Sequence, residues 1–388
     1  MHPTEQALTK APTHYAAKLA ENETFDSYFV CLQPERGAKK SGEPFMRMGL
    51  RDASGDVKAI WWQPTTEALE GLRHGDVVKV RAGFGSGGQY GPQVKIDRLR
   101  VLEPGQYDPA SLIPVSPIDL DELGDRLRAL VESVADPSLR ALLERALDPG
   151  REPGATFAVA PAAVRNHHAY RHGLLEHSVV VAEVAATVTA SFPTVDRDLV
   201  VTGALLHDVG KTLTYSSDPL APGFTDSGRL HGEIIIGHDL VRDLIAEIPA
   251  FTPELSARLR HVIVSHHGER EKGSPVVPMT REAIIVHFCD DMTARISACD
   301  DAERSSSRGA RWSGFSKMLD AFVYIGERNG GSASDESFAT FADDERSPAD
   351  EVADGPSEGG EADDDAFTRD PAPAAQERAE ADERFSLL

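Results

Sequence analysis

The hydrophobic period of this chain changes once, near residue 105, and that change limits the folds it can adopt. From about Thr24 to Leu102 the chain reads as short strands, DSYFVCLQ, EPFMRMGLRD, DVKAIWWQ, DVVKVRAGF and PQVKIDRLRVL. They are parted by the turn signals ERGAKKSGE, DASGD, LRHGD and GSGGQYG. Five short strands in so brief a stretch predict a small closed barrel. Beyond the proline-spaced YDPASLIPVSP, apolar residues recur three and four apart, and DELGDRLRALVESVADPSLRALLERALD predicts two helices. Helical patterning is expected to continue to about residue 326, with loops at 215–228 and 272–278, where Gly and Pro cluster.

Charge separates a further segment. The 388 residues carry 63 acids and 40 bases, a net charge of −23. Residues 331–388 hold 18 acids and 4 bases, so they contribute −14 and the rest of the chain −9. Such a chain does not advertise nucleic-acid binding through bulk charge. The acidic tail from 327 is expected to be disordered and to act as a solvating segment. No stretch approaches 18 consecutive apolar residues, and the N-terminus lacks a secretory core. Three cysteines, Cys31, Cys289 and Cys299, cannot make a disulfide framework. A cytoplasmic protein with no membrane partner is expected.

Most of the 14 histidines lie between residues 167 and 287. The sharpest element is GALLHDVGK, residues 203–211. Leu199, Val200, Val201, Ala204, Leu205 and Leu206 make an apolar helix that ends in His207 and Asp208. Burying both polar groups unpaired would cost several kcal/mol each, and a metal ion taking an imidazole nitrogen and a carboxylate oxygen removes that cost. In HGLLEHSVVVAEVAA, Leu174, His177 and Val181 share one helical face, so His177 points inward. His266 and His267 follow Val262, Ile263 and Val264, and Asp290 ends the apolar EAIIVHFCD. Any one of these histidines reads as a core or surface residue. Several buried helices, each carrying an inward His or Asp, are hard to explain by packing alone.

An isolated His, a paired His-Asp and a distant Asp resemble the HD superfamily of metal-dependent phosphohydrolases. HHAYRHGLLEHS, LLHDVGK, VSHHGEREKGSPVVPMTREA and ARWSGFSKMLDAFVY are more closely similar to YhaM-type 3′-5′ exoribonucleases. The resemblance covers roughly residues 24–326. It implies a multidomain α+β protein, an N-terminal five-stranded OB-fold β-barrel followed by an all-α HD domain. The expected divisions are an N-terminal extension over 1–20, the OB-fold over 21–105, a helical connector over 106–160, the HD domain over 161–326 and the tail over 327–388. The family's metal ligands map to His177, His207, Asp208 and Asp290. A second ion would recruit His266, His267 and a group near 231–238. There the chain departs from its relatives, reading His231-Gly232-Glu233 with Glu233 where they carry His, and His238 further on. Thr293 stands where relatives often have Asp.

The resemblance implies one or two divalent ions, manganese first, although a mixed His/Asp set also suits magnesium, iron or zinc. The chemistry implied is phosphodiester hydrolysis of single-stranded RNA, with DNA open as a second substrate, and an oligomer is the form similar proteins take. Asp208 and Lys211 are the catalytic candidates; Lys211 could contact the scissile phosphate or simply offset a helix dipole. His168 and Arg171 are candidates for holding the substrate backbone. On the barrel, Trp61, Trp62, Phe84 and Tyr90 could stack bases beside Arg47, Arg51, Lys58, Lys79, Arg81 and Lys95. Strand alternation makes one of the adjacent tryptophans core and favours Trp62 as the exposed one, so Trp62, Tyr90 and Lys58 are the strand-binding candidates. Two other readings stand beside this one: a phosphohydrolase of free or signalling nucleotides, and a nucleic-acid-binding protein whose HD site is regulatory.

Overall fold

A computed structural model describes residues 12–85, 92–164, 168–304, 306 and 310–326. Tyr90 and the acidic tail lie outside the described residues.

The first part is the expected barrel, built from β1 (Thr24–Ala38), β2 (Pro44–Asp52), β3 (Gly55–Trp61), β4 (Val77–Gly85) and β5 (Gln93–Val101). The strand order is β1-β2-β3-β5-β4, and β1 closes on β4 with Thr24 opposite Gly83. β3 and β5 meet in parallel, Ala59 opposite Val94, and the remaining pairs are antiparallel. This is the closed Greek-key order of an OB-fold. Alternate residues fill the lumen: Phe25, Phe29 and Cys31 from β1, Met46, Met48 and Leu50 from β2, Ala59 and Trp61 from β3, Val78, Val80 and Ala82 from β4, Val94 and Ile96 from β5. Between β3 and β4 a short helix, α1 (Thr66–Gly71), is capped by the Thr65 hydroxyl, which accepts from Ala68 N–H.

The second part is helical: α2 (Leu120–Glu132), α3 (Pro137–Ala146), α4 (Gly154–Phe157), α5 (Gly173–Thr189), α6 (Arg197–Leu206), α7 (Lys211–Thr214), α8 (Asp226–Ala246), α9 (Pro253–Ser265) and α10 (Arg281–Arg304). The starts follow capping chemistry. Asp119, Asp136, Asp196 and Thr252 each accept backbone N–H groups at the first turns of α2, α3, α6 and α9, and Pro137 and Pro253 stand where a helix needs no donor. Leu123, Leu130, Leu139, Leu142 and Leu143 of α2 and α3 enter the same core as Leu174, Val179, Leu199, Leu205, Val262 and Val286. The helices of 106–160 therefore share the core of the helices that follow. A smaller cluster joins the two parts: Tyr28, Val30, Val77 and Leu102 of the barrel enclose Leu112 and Ala221.

The helical pattern does not run to residue 326. α10 ends at Arg304, and β6 (Trp312–Ser316) and β7 (Ala321–Tyr324) form an antiparallel hairpin. Short alternating runs on either side of a turn pair more readily than they coil. Trp312 meets Tyr324 at a tilt and Phe315 meets Phe322 edge to face, with centroids 5.1 and 5.4 Å apart, while Ser313 and Ile325 are buried. Among the described residues no helix is long and apolar enough to cross a membrane.

Candidate metal centre

Four helices converge on one buried cluster. α5 brings His177 one turn after Leu174, inside the core. α6 is buried on every face and delivers His207 and Asp208 at its end. α9 ends at His266, and α10 presents Asp290 from its middle. The His177 and His207 Nε2 atoms are 3.2 Å apart, and Asp290 Oδ1 lies 3.1 Å from His177 Nε2 and 3.7 Å from His207 Nε2. Asp208 Oδ2 is 3.5 Å from His177 Nε2 and 3.3 Å from His207 Nε2. One nitrogen or oxygen from each of His177, His207 and Asp290 falls within 4.8 Å of the others.

The histidine tautomers are fixed from behind. His207 Nδ1 donates to the Ala204 carbonyl at 2.7 Å, His266 Nδ1 to the Ile263 carbonyl at 2.7 Å, and His267 Nδ1 to the Lys272 carbonyl at 3.0 Å. A carbonyl can only accept, so each ring directs its Nε2 towards the cluster, and in the neutral ring that nitrogen carries the lone pair, the arrangement that metal-ligating histidines adopt. His266 Nε2 and Asp208 Oδ1 are both buried without a hydrogen-bond partner, and they face each other at 3.7 Å. Two acceptors so placed cannot satisfy one another. A divalent cation, which binds imidazole nitrogen and carboxylate oxygen at about 2.0–2.2 Å, satisfies both.

The electrostatics also call for positive charge. Burial opposes ionisation of Asp208, but Lys211 and His207 outweigh it and hold the carboxyl well below its usual range. Lys211 Nζ sits 2.7 Å from Asp208 Oδ2, and the pair keeps the ammonium protonated against burial. His207, although buried, is pushed up to about 9 by Asp208 and Asp290. His266 goes the other way, to about 3, through burial and the neighbouring His207 and His267. The set therefore combines ionised carboxylates with neutral nitrogen donors, and protons on His207 and Lys211 balance the charge when no cation is bound.

Glycines set the second half of the site. Gly210 packs backbone to backbone against α8: a Cβ there would stand 2.0 Å from the Glu233 carbonyl oxygen and 2.5 Å from Gly237 N. Gly232, at φ +70, kinks α8 just before Glu233. Glu233 Oε1 then comes 3.8 Å from His267 Nε2, and both side chains are about a quarter exposed, at 25% and 27%. Gly268, at φ +79, turns the chain after His266 and His267, and a Cβ would strike the His287 ring at 2.1 Å. Of the alternatives to Glu233, His231 faces Ser227, and His238 is held by Asp239 and Arg260.

The remaining candidates divide. His168 lies beside the cluster, its ring centroid 5.6 Å from that of His177. Tyr170 OH, 2.9 Å from His168 Nδ1, also donates to Glu176 Oε2 at 2.9 Å, and Ser116 Oγ donates to the same oxygen at 2.6 Å. Burial raises Glu176, but these hydrogen bonds and His168 outweigh it and keep the acid ionised. Sequence reasoning missed Glu176, Tyr170 and Ser116; an acid inside the buried run LLEHS was the available signal. Arg171 is exposed, with its backbone bonded to Pro114 and Ser116. Thr293 Oγ1 donates to the Asp290 carbonyl at 3.0 Å, a helix-internal bond. On the barrel, Trp61 is 3% exposed and Trp62 45% exposed, with the Trp62 ring 5.3 Å from that of Phe45 and the Arg47 guanidinium 5.0 Å from the same phenyl ring. Lys58 is exposed on β3.

A barrel of OB order ahead of a helical domain with a buried His/Asp cluster defines a two-part protein with a metal-centre domain. Residues 174–295 match the HD domain family, so the helical part carries an HD domain, a metal-dependent phosphohydrolase fold. Among solved structures the chain is similar to the second OB-fold domain of replication protein A from Methanococcus maripaludis, at 17% identity over 23% of this chain and 94% of that one, TM-score 0.20. It is also similar to PriB from Ralstonia solanacearum, at 14% identity over 21% and 100%, TM-score 0.19. A replication factor A related protein from Methanobacterium thermoautotrophicum matches at 19% identity over 24% and 91%, TM-score 0.19. The barrel assignment rests on strand order.

Proposed function

We propose that this protein is a metal-dependent 3′-5′ exonuclease acting on single-stranded RNA, with the HD centre as the hydrolytic site and the barrel as the strand grip. The observation that carries the reading is the buried pair of orphaned acceptors, Asp208 Oδ1 and His266 Nε2, within the His/Asp cluster. His177, His207, Asp208 and Asp290 would hold one divalent ion, and Asp208, His266, His267 and Glu233 would hold a second. Such an ion supplies a Lewis acid that activates water and neutralises phosphate charge. Manganese fits the mixed nitrogen and oxygen set, as do magnesium, iron and zinc.

The chain's own groups supply the rest. Lys211 is kept cationic at the cluster by Asp208 and can meet a phosphate oxygen as a point charge. His168, held by Tyr170 and Ser297, stands at the rim to orient the substrate backbone. Trp62 offers a ring for base stacking beside Arg47, and Lys79 and Arg81 of β4 add positive charge. DNA is a second substrate of the same chemistry.

The test is a 5′-labelled single-stranded RNA incubated with manganese beside a His207→Ala/Asp208→Ala control. A ladder shortening from the 3′ end, abolished in the control and by chelator, supports the reading. Intact RNA across metals and salt concentrations would sink it, and turnover of free nucleotides would move the activity to the small-substrate class.

A further inference from the structure

The outward side of β4 and β5 carries a ladder of cations. Val78, Val80 and Ala82 of β4 and Val94, Ile96 and Leu99 of β5 turn into the barrel, so Lys79, Arg81, Lys95, Arg98 and Arg100 project from its outer surface. The register sets like charges against each other, Lys79 opposite Arg100 and Arg81 opposite Arg98. Directly opposed side chains on an antiparallel pair have Cβ atoms about 4.5–5.5 Å apart, and like charges so placed are destabilising. Among the described residues none of these five cations forms an ion pair, in a chain that holds 63 acids. Two acids border the ladder: Asp26, opposite Arg81 on β1, and Asp97, the extra residue of the β5 bulge. Five cations against two acids leave +3 on this face, although the whole chain carries −23.

We propose that the ladder binds the phosphate backbone of a base-paired RNA segment, on a side of the barrel separate from Trp62. An anion lying across the two like-charged pairs removes their repulsion. Three of the five cations are Arg, whose planar fork meets phosphate oxygens two at a time. The aromatic residue at this face is Tyr28, which is 5% exposed and covered by Lys79, with Nζ 5.6 Å from the ring centroid. Bases of an unpaired strand therefore find no stacking surface here, whereas a duplex keeps its bases inside and offers phosphates. Phe45, Arg47 and Trp62 lie on β2 and just beyond β3, away from the β4–β5 pair in the strand order. Tyr28 and Val77 also belong to the cluster that joins the barrel to the helical part, so the ladder runs up to that joint. A stem held on the ladder would leave the unpaired end of the same RNA for Trp62 and the HD centre. The inference rests on the nucleic-acid half of the proposed function and does not require the hydrolytic half.

The experiment is fluorescence anisotropy of the full chain in chelator, with a blunt RNA duplex and with a single strand, over a salt series. Wild type should bind the duplex with an affinity that falls steeply as salt rises. Arg98→Gln/Arg100→Gln should weaken duplex binding about tenfold or more and lower the log–log salt slope by about 2. Both residues are exposed, so Tm should hold or rise as the repulsion is relieved. Arg98→Lys/Arg100→Lys should keep most of the affinity, and Trp62→Ala should leave duplex binding unchanged. No duplex binding by wild type, or equal binding by the Gln variant, overturns the proposal. Loss of single-strand binding alone in the Gln variant gives the face to an unpaired strand and overturns the duplex assignment. Every readout is binding without a metal ion, so failure of the exonuclease reading leaves these outcomes unaltered.

Discussion

Replacing Lys211 with Met separates the two states of the cluster. The Lys211 ammonium is 2.7 Å from a carboxylate whose side chain is 3% exposed, and its own side chain is 14% exposed. Removing one member of a buried ion pair costs about 3–5 kcal/mol, because the other charge is left uncompensated. Here the proton that Asp208 and Asp290 keep on His207 compensates in part, so the lower end, ~3 kcal/mol, is expected. For a domain of this size each kcal/mol moves Tm by about 2–4 °C, which gives a fall of roughly 6–12 °C in chelator. With saturating manganese the cation supplies the missing charge, and the difference from wild type should shrink below about 1 kcal/mol. Differential scanning calorimetry of both proteins, with chelator and with manganese, measures all four values. An equal fall in both conditions would show that Lys211 supports the fold independently of the cluster, and no fall in chelator would show that Asp208 is not the buried anion described.

Three further substitutions follow from the geometry. His266→Leu removes a buried acceptor with no partner, so stability in chelator should stay within about 1 kcal/mol of wild type while bound manganese, measured by elemental analysis, falls. Gly210→Ala drives a methyl group into the Glu233 carbonyl, and overpacking of backbone on backbone should cost about 3 kcal/mol, read as a lower urea midpoint. Trp62→Ala should weaken single-stranded RNA binding by about 1–3 kcal/mol, roughly 5- to 150-fold, with Tm unchanged; an unaltered affinity by fluorescence anisotropy would remove Trp62 from the strand path.

The barrel and the first half of the cluster were legible because their signals are local. Period-two alternation and Gly-rich breaks specify strands, and His207 and Asp208 end a helix whose apolar residues leave no exposed face. Glu176 and Ser116 are 60 residues apart, and their hydrogen bond depends on how the 106–160 helices enter the core. Glu233 was named from the resemblance, but its approach to His267 depends on tertiary detail, the Gly232 kink and the backbone contact at Gly210. Residues 312–324 misled because a two-stranded hairpin and one short helix leave similar apolar spacing, and cross-strand ring pairing decided between them.

The loop between α7 and α8 gives the small cluster at Ala221 a wider meaning. Lys211 opens α7 before this loop and Glu233 lies two turns into α8 beyond it, while Tyr215 and Phe224 pinch its neck with rings 5.3 Å apart. Its tip rests against the barrel, where Ala221 is buried beside Tyr28, Val30 and Val77, and a Cβ on Gly75 would stand 3.2 Å from the Ala221 methyl group. The loop is thus a tether whose anchor belongs to the barrel and whose two ends lead to Lys211 and Glu233 of the helical part. Cutting the barrel away would release that anchor, so the helical half alone should keep its buried histidines in place but lose purchase on Glu233.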